Sequence, residues 1–315
     1  MALLIQKLTL IYTHTACTCA RKDTIKEMTL IIGKIIQGSL RIDSDSKITD
    51  PNIASNRNSI FSGLLKTIIL HPRLCFSYAG GVDKAQEAIE EVYKLNELTV
   101  DKVKKLLLEI NKTSNYETDF LIGALENQPL LYKISNGEIV PSNQNHWIGD
   151  ISGLNLFQRN FLPNLKSTDI KHIIDVHSKA FEEVISSGSI ESIGGFHITV
   201  HTTQRGLEYL MKMSISMGQP TSMTIYGNQS IPLPFGDAKT GSYSYSYLIS
   251  NNPYQPAIGI HFPMGNFGTL YYPRLTRQIL ILRNVDPFQF AKRVKEDFKI
   301  DLTGMVKNGD KMTMI

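Results

Sequence analysis

The sequence holds no apolar run long enough to cross a bilayer, only three cysteines, and no stretch in which basic residues crowd together. The first absence argues against a membrane span. The second rules out a disulfide framework, and the odd set Cys17, Cys19 and Cys75 fits a reducing, cytoplasmic setting. Cys17-Thr18-Cys19 has no second Cys or His pair at finger-like spacing downstream, so no metal site is expected there. The net charge of +4 comes from dispersed Lys and Arg, which argues against a nucleic-acid partner. P-loop, GxSxG elbow, HExxH and dinucleotide fingerprint are all missing, and with them most support for ATP, NAD or zinc chemistry; no cofactor is expected. Residues 1–20 loosely mimic a signal peptide with a small-residue end, but Lys7 and Thr13-His14-Thr15 interrupt its apolar part, and export is not expected.

What is present is the composition of a globular protein, 42% hydrophobic and 20% charged, long enough for one large domain or two ordinary ones. From Thr29, TLIIGKIIQGSLRIDSDSK has β-branched runs on either side of Gln37-Gly38-Ser39, the pattern of a hairpin. After a polar segment around Pro51, KTIILHPRLCFSYAGG gives a second pair of strands broken at His71-Pro72. Two helices are expected next, one with Ala85, Ala88, Ile89 and Val92 on a face, the other with Val103, Leu106, Leu107 and Ile110. Asp83 and Gln86 form an approximate capping pair for the first, and Thr99 can cap the second. DFLIGAL and PLLYKIS read as strands, and Asn136-Gly137 as a turn before HWIGDISG.

A long helix near 168 to 186 then carries Ile170, Ile173, Ile174, Phe181 and Val184, with His177 on the same stripe as a packed core histidine. The strand GGFHITVHT follows. His197 and His201 fall on one face of it, where sheet packing is the plainer reading than a metal site. Helices segregated from hairpin-built sheets give an α+β fold. Beyond about residue 215, Ser, Tyr, Gly and Pro become frequent, and an α/β extension over 215–315 is expected, strands followed by a terminal helix started by Asp286-Pro287.

The chemistry-bearing pattern is an ordered set: Thr29 opening the first strand, Asp45-Ser46-Lys47 ending the second, Lys66 opening the third, and Ala79-Gly80-Gly81 ending the fourth. Taken singly, each has an ordinary structural reading. In this order and spacing the set resembles the proteasome β subunits and the simpler bacterial proteasome-like threonine peptidases, which are N-terminal-nucleophile hydrolases. Thr29 to Asp45 and Lys66 to Gly80 match the family's register without a gap, with a few extra residues between, around Pro51 to Asn58. FLIGAL, LYKIS, WIGD and Gly194-Gly195 extend the likeness over most of residues 28 to 205.

The resemblance implies a four-layer αββα sandwich of two antiparallel sheets between helices over 28–214. It also implies amide hydrolysis through an acyl-enzyme on Thr29, of a peptide or unfolded-protein substrate, and a homo-oligomer. The Thr29 α-amine would serve as base, which requires a free N-terminus there and makes residues 1–27 a propeptide or an over-extended start. Lys66 would lower the pKa of that amine and favour the ionised nucleophile, Asp45 would orient Lys66, and the Gly80 N–H would form the oxyanion hole. Tyr78 would line the pocket for the residue before the cut, favouring small side chains.

The family's later aspartate and serine fall here on Ile190 and Ile193, with Glu191 and Ser192 adjacent, so that Glu191 is a candidate replacement. Asp150 stands where the family has a serine. Two other readings stay open: an amidase of small molecules, and a non-catalytic subunit of the same fold that scaffolds or binds.

Overall fold

The computed structural model describes residues 29–47, 65–217, 223–226, 229–231, 242–276, 279–308 and 311–315. The expected loop around Pro51 to Asn58, Cys17 and Cys19, and the residues before Thr29 lie outside these. One antiparallel sheet contains β1 (Leu30–Ile36), β2 (Ser39–Ser44), β8 (Asn145–Gly149), β9 (Ile198–Thr203) and β10 (Gly206–Tyr209), in the order β10-β9-β2-β1-β8. A second contains β3 (Thr67–His71), β4 (Leu74–Gly80), β5 (Thr118–Leu125), β6 (Pro129–Ser135) and β7 (Glu138–Ser142), in sequence order. Four helices flank them: α1 (Val82–Lys94), α2 (Val100–Thr113), α3 (Ile151–Phe161) and α4 (Ile170–Ser186). The architecture is α+β, two antiparallel sheets flanked by helices.

Local sequence explains how the strands turn. Gln37 and Gly38 both have positive φ (46° and 82°), the conformation of a two-residue hairpin loop that matches the twist of β1 and β2. Asn136 and Gly137 repeat this (55° and 76°) between β6 and β7.

β1 is apolar on both sides because it is covered on both. Leu30 and Ile32 cluster with Leu154, Phe157, Phe161 and Phe181 of α3 and α4, whereas Ile31 joins the core between the sheets. Glycines make room for side chains of the facing sheet. A Cβ on Gly33 would lie 2.8 Å from Leu131 Cδ2, and one on Gly123 would lie 2.9 Å from Ile42 Cδ1 and from Cys75 Sγ. With Leu121 and Gly123 turned to the first sheet, strand alternation gives Phe120 and Ile122 to the side of α1 and α2. There Ala85, Ala88, Ile89, Val92, Val103, Leu107 and Ile110 are buried, as their helical spacing predicts.

Several local expectations change. Thr99 does cap α2, accepting from Lys102 N–H at 3.4 Å, but α1 starts at Val82 behind Gly81 with no side-chain cap, so Asp83 sits inside the first turn. The long helix starts at Ile170, capped by Asp169, and Ile170 itself is exposed. HWIGDISG is a strand end followed by α3, a helix the periodicity did not suggest. Among the described residues no helix is long and apolar enough to cross a membrane.

The C-terminal part forms a third antiparallel sheet: β11 (Met213–Met217), β14 (Ser242–Ser250), β15 (Ile258–Phe262), β16 (Phe267–Tyr271) and β17 (Leu280–Arg283), with β18 (Leu302–Thr303) pairing β14. Two hairpins form separate two-stranded sheets, β12 (Met223–Tyr226) with β13 (Gln229–Ile231), and β19 (Met305–Asn308) with β20 (Lys311–Met314). α5 (Pro287–Phe298) begins in a full capping box between Asp286 and Gln289. It packs Phe290 and Val294 against Leu248 and Leu270, while Tyr247, Ile260 and Phe262 face the main core. The helix is not terminal, since β18 to β20 follow it, and β11 spans the expected boundary at 214.

Candidate active site

Thr29 precedes the first residue of β1, Asp45 follows the last of β2, and Lys66 precedes the first of β3. Three strand ends from two sheets therefore meet at one point. All three residues are buried: Thr29 is 3%, Asp45 0% and Lys66 5% exposed, so their polar atoms must be satisfied by one another. Lys66 Nζ donates to Thr29 Oγ1 at 2.7 Å and lies 3.2 Å from each Asp45 oxygen. Asp45 also accepts from the backbone N–H groups of Leu30, Lys47 and Gly194, each at 3.2 Å. Burial pushes the Asp45 carboxyl up, against the pull of the Lys66 ammonium and these N–H donors.

The floor of the site is β8. Asp150 N–H donates to the Thr29 carbonyl at 2.7 Å. Gly149 (φ +104°) runs so close that a Cβ there would lie 1.9 Å from the Thr29 oxygen and 3.5 Å from Ala79 Cβ, which sets the end of β4 beside Thr29. Gly80, the next residue, has φ +114°, and a Cβ would fall 2.0 Å from the Glu117 carbonyl oxygen. Glycine is obligatory at both positions on steric grounds. Tyr78 is buried on the same strand, its hydroxyl pKa raised by burial and by the Asp45 charge.

The loop from Ile190 to Gly195 reaches the site through Gly194 N–H, which donates to Asp45. Ile193 is buried among Leu30, Leu154 and Phe181, with Ile190 packed on the same cluster. Glu191 is exposed and lends Lys47 its backbone carbonyl, so the expected replacement of the missing aspartate by Glu191 is not what the loop provides. The neighbouring Ser192 does contribute, its hydroxyl donating to Asp150 Oδ2 at 2.8 Å. Sequence reasoning had both residues in view but not their pairing.

A second polar cluster, under α3 and α4, escaped sequence reasoning. Asp43 accepts from Arg41 Nε and Nη2 at 2.7 and 2.9 Å and from Thr199 Oγ1 at 2.6 Å, while His197 Nε2 lies 2.7 Å away and His177 Nδ1 3.2 Å away. Burial pushes the Asp43 carboxyl up, but Arg41 and the two histidines outweigh it and hold it well below the usual range. Burial lowers His177 to about 4 despite the Asp43 carboxylate beside it. Lys34 joins this layer with its ammonium 4.4 Å from the centre of the Phe161 ring, and burial lowers it to about 8. The signal available was the alternation Leu40, Arg41, Ile42, Asp43, which puts two charged residues on one face of β2. Among the described residues no group of three or more His, Cys, Asp or Glu side chains is arranged to hold a metal ion.

No protein-family model matches the chain, and no curated protein matches it.

Proposed function

We propose that the protein is a proteasome-like threonine peptidase or amidohydrolase of the N-terminal-nucleophile class, its two sheets and flanking helices forming the four-layer sandwich of that class. The observation that carries this reading is the Lys66 ammonium 2.7 Å from Thr29 Oγ1, itself held by a buried carboxylate. A lysine paired only for stability needs no hydroxyl within hydrogen-bonding distance; one that promotes a nucleophile does.

With the peptide bond before Thr29 cut, the freed α-amine takes the Oγ1 proton as Oγ1 attacks the scissile carbonyl carbon. The Lys66 charge favours the oxygen anion, and Asp45 fixes that charge in place. The resemblance assigns the tetrahedral oxyanion to the Gly80 N–H. Collapse expels the amine product, which carries off the proton, and leaves an ester on Thr29 that water hydrolyses. Peptides or unfolded segments are the expected substrates.

A second reading, a non-catalytic subunit of the same fold, draws on Ile190 and Ile193, which give apolar contacts where the family has polar groups. Intact mass and N-terminal sequencing of protein expressed from its own gene, followed by a peptide epoxyketone probe, separates the two. A start at Thr29 with labelling that Thr29→Ala abolishes is expected. A chain that retains its earlier residues and takes no label would leave the scaffold reading.

A further inference from the structure

The loop that brings Gly194 N–H to Asp45 is held by its neighbours. Gly194 and Gly195 have no side chains to fix them, and Gly195 takes φ +77°, so the flanking residues must set their place. On one side Ile193 is buried in the apolar cluster with Leu154 and Phe181. On the other His197, buried and stacked on Phe181, sets Nε2 2.7 Å from Asp43 Oδ1. Between these anchors the chain is joined to the residues that follow β2. Phe196 N–H donates to Ser46 Oγ at 2.6 Å, and the Gly194 carbonyl accepts from Ser46 and Lys47 N–H, both at 3.1 Å. His197 thus secures the root of a clamp whose tip is the bond to Asp45.

The same ring has a second carboxylate beside it. His197 Nδ1 lies 3.4 Å from Oε1 of Glu182, a half-exposed side chain of α4. Glu182 also pairs with Lys212, the residue before β11, whose backbone carbonyl accepts from Tyr247 N–H of β14 at 2.7 Å. Its bond to His197 and the Lys212 ammonium hold the Glu182 carboxyl down, to about 2, so it is ionised at neutral pH. Lys212, Glu182, His197 and Asp43 therefore form one run of polar contacts from the third sheet to β2, and Asp45 lies two residues beyond its end.

Resting on the N-terminal-nucleophile reading, we infer that His197 is a positioning residue: bridging Glu182 and Asp43, it fixes the Gly194 donor against Asp45 and makes the arrangement of Thr29, Lys66 and Asp45 depend on the third sheet.

Removing the imidazole leaves Asp43 its bonds from Arg41 and Thr199, so that buried charge stays satisfied and what is lost is the anchor. The other charged or titratable groups around the bridge are Arg41, Lys34, His177 and His201, and the variants below leave all four in place. With the anchor gone the Gly194 N–H is no longer held to Asp45. Loss of one such donor raises a buried carboxyl by about one pH unit.

Carboxyl-carbon NMR of Asp45 in the full-length chain reads the clamp directly. Its titration midpoint is expected to rise by about one pH unit in His197→Leu, and by less in Glu182→Ala, which removes only the outer contact. Because the contacts act in series, the double variant should move it no further than His197→Leu alone. His197→Gln, whose amide can still donate to Asp43, should recover most of the shift. Asp286→Ala, which weakens the fold by uncapping α5 without touching the run, should leave the midpoint where it is. On protein that starts at Thr29, epoxyketone labelling should slow by about tenfold in His197→Leu. An unmoved midpoint in either His197→Leu or Glu182→Ala, additive shifts in the double variant, or an equal shift in Asp286→Ala would overturn the inference. Midpoints that move as stated in a protein that takes no label would uphold the bridge and sink the hydrolase reading instead.

Discussion

Replacing Lys66 with Met leaves the Asp45 carboxylate buried with three backbone N–H donors but without the ammonium 3.2 Å from both its oxygens. At that separation two unit charges interact by about 5 kcal/mol at an effective dielectric constant near 20. Breaking one side of a buried pair costs about 3–5 kcal/mol. The surviving N–H donors place Lys66→Met at the lower end, about 3 kcal/mol at pH 7.5.

The sign with pH follows. Burial already raises the Asp45 carboxyl, and loss of Lys66 raises it further above its unfolded value. Relative to wild type, the variant keeps its stability below the unfolded carboxylate pKa and loses it as pH rises through the folded one. Urea denaturation at pH 4 and pH 7.5 should therefore show a deficit that is small at the lower pH and full at the higher. Adding Asp45→Asn removes the buried charge and should recover most of the deficit at pH 7.5, while epoxyketone labelling stays absent in both variants. A single mutant as stable as wild type at pH 7.5, or a double mutant no more stable than the single, would refute the argument.

Lys34→Met should stabilise the fold. Lowering an ammonium from 10.5 to about 8 corresponds to about 3 kcal/mol of burial penalty at neutral pH, part of which the Phe161 ring returns. Because the folded pKa is the lower one, wild type gains stability between pH 8 and 10.5, and the advantage of the variant in thermal melts should close over that window; an advantage that persists unchanged past pH 10.5 would count against a charged, buried Lys34. Gly149→Ala forces a Cβ to within 1.9 Å of the Thr29 oxygen at φ +104°, and should cost at least about 2 kcal/mol in denaturation and abolish labelling. Wild-type stability and labelling would show that β8 does not set the position of Thr29.

Residues with fixed spacing along neighbouring strands were the legible part of this protein. Thr29, Asp45 and Lys66 sit at strand ends, and strand ends can be read from hairpin turns such as Gln37-Gly38. The helix α3 was illegible for a specific reason. Gly153 lies in its first turn, where a glycine in sequence signals a break, yet here it makes room for Ile193, whose Cδ1 would lie 2.3 Å from a Cβ. The Asp43 cluster was hidden for another, since its members come from β2, α4 and β9, and Thr199 lies 156 residues from Asp43. No local pattern announces partners that distant. Ser192 was seen as a neighbour of the missing serine, but only tertiary structure turns its hydroxyl to Asp150.

The bond from Gly194 N–H to Asp45 has a temporal consequence. During synthesis Thr29, Asp45 and Lys66 leave the ribosome early, well ahead of the loop that completes the set. Until residue 194 has been made and docked, the carboxylate lacks one of its donors. A nascent or half-folded chain thus carries Thr29, Asp45 and Lys66 without one of the donors that fix the carboxylate, and their arrangement is completed only when the fold is.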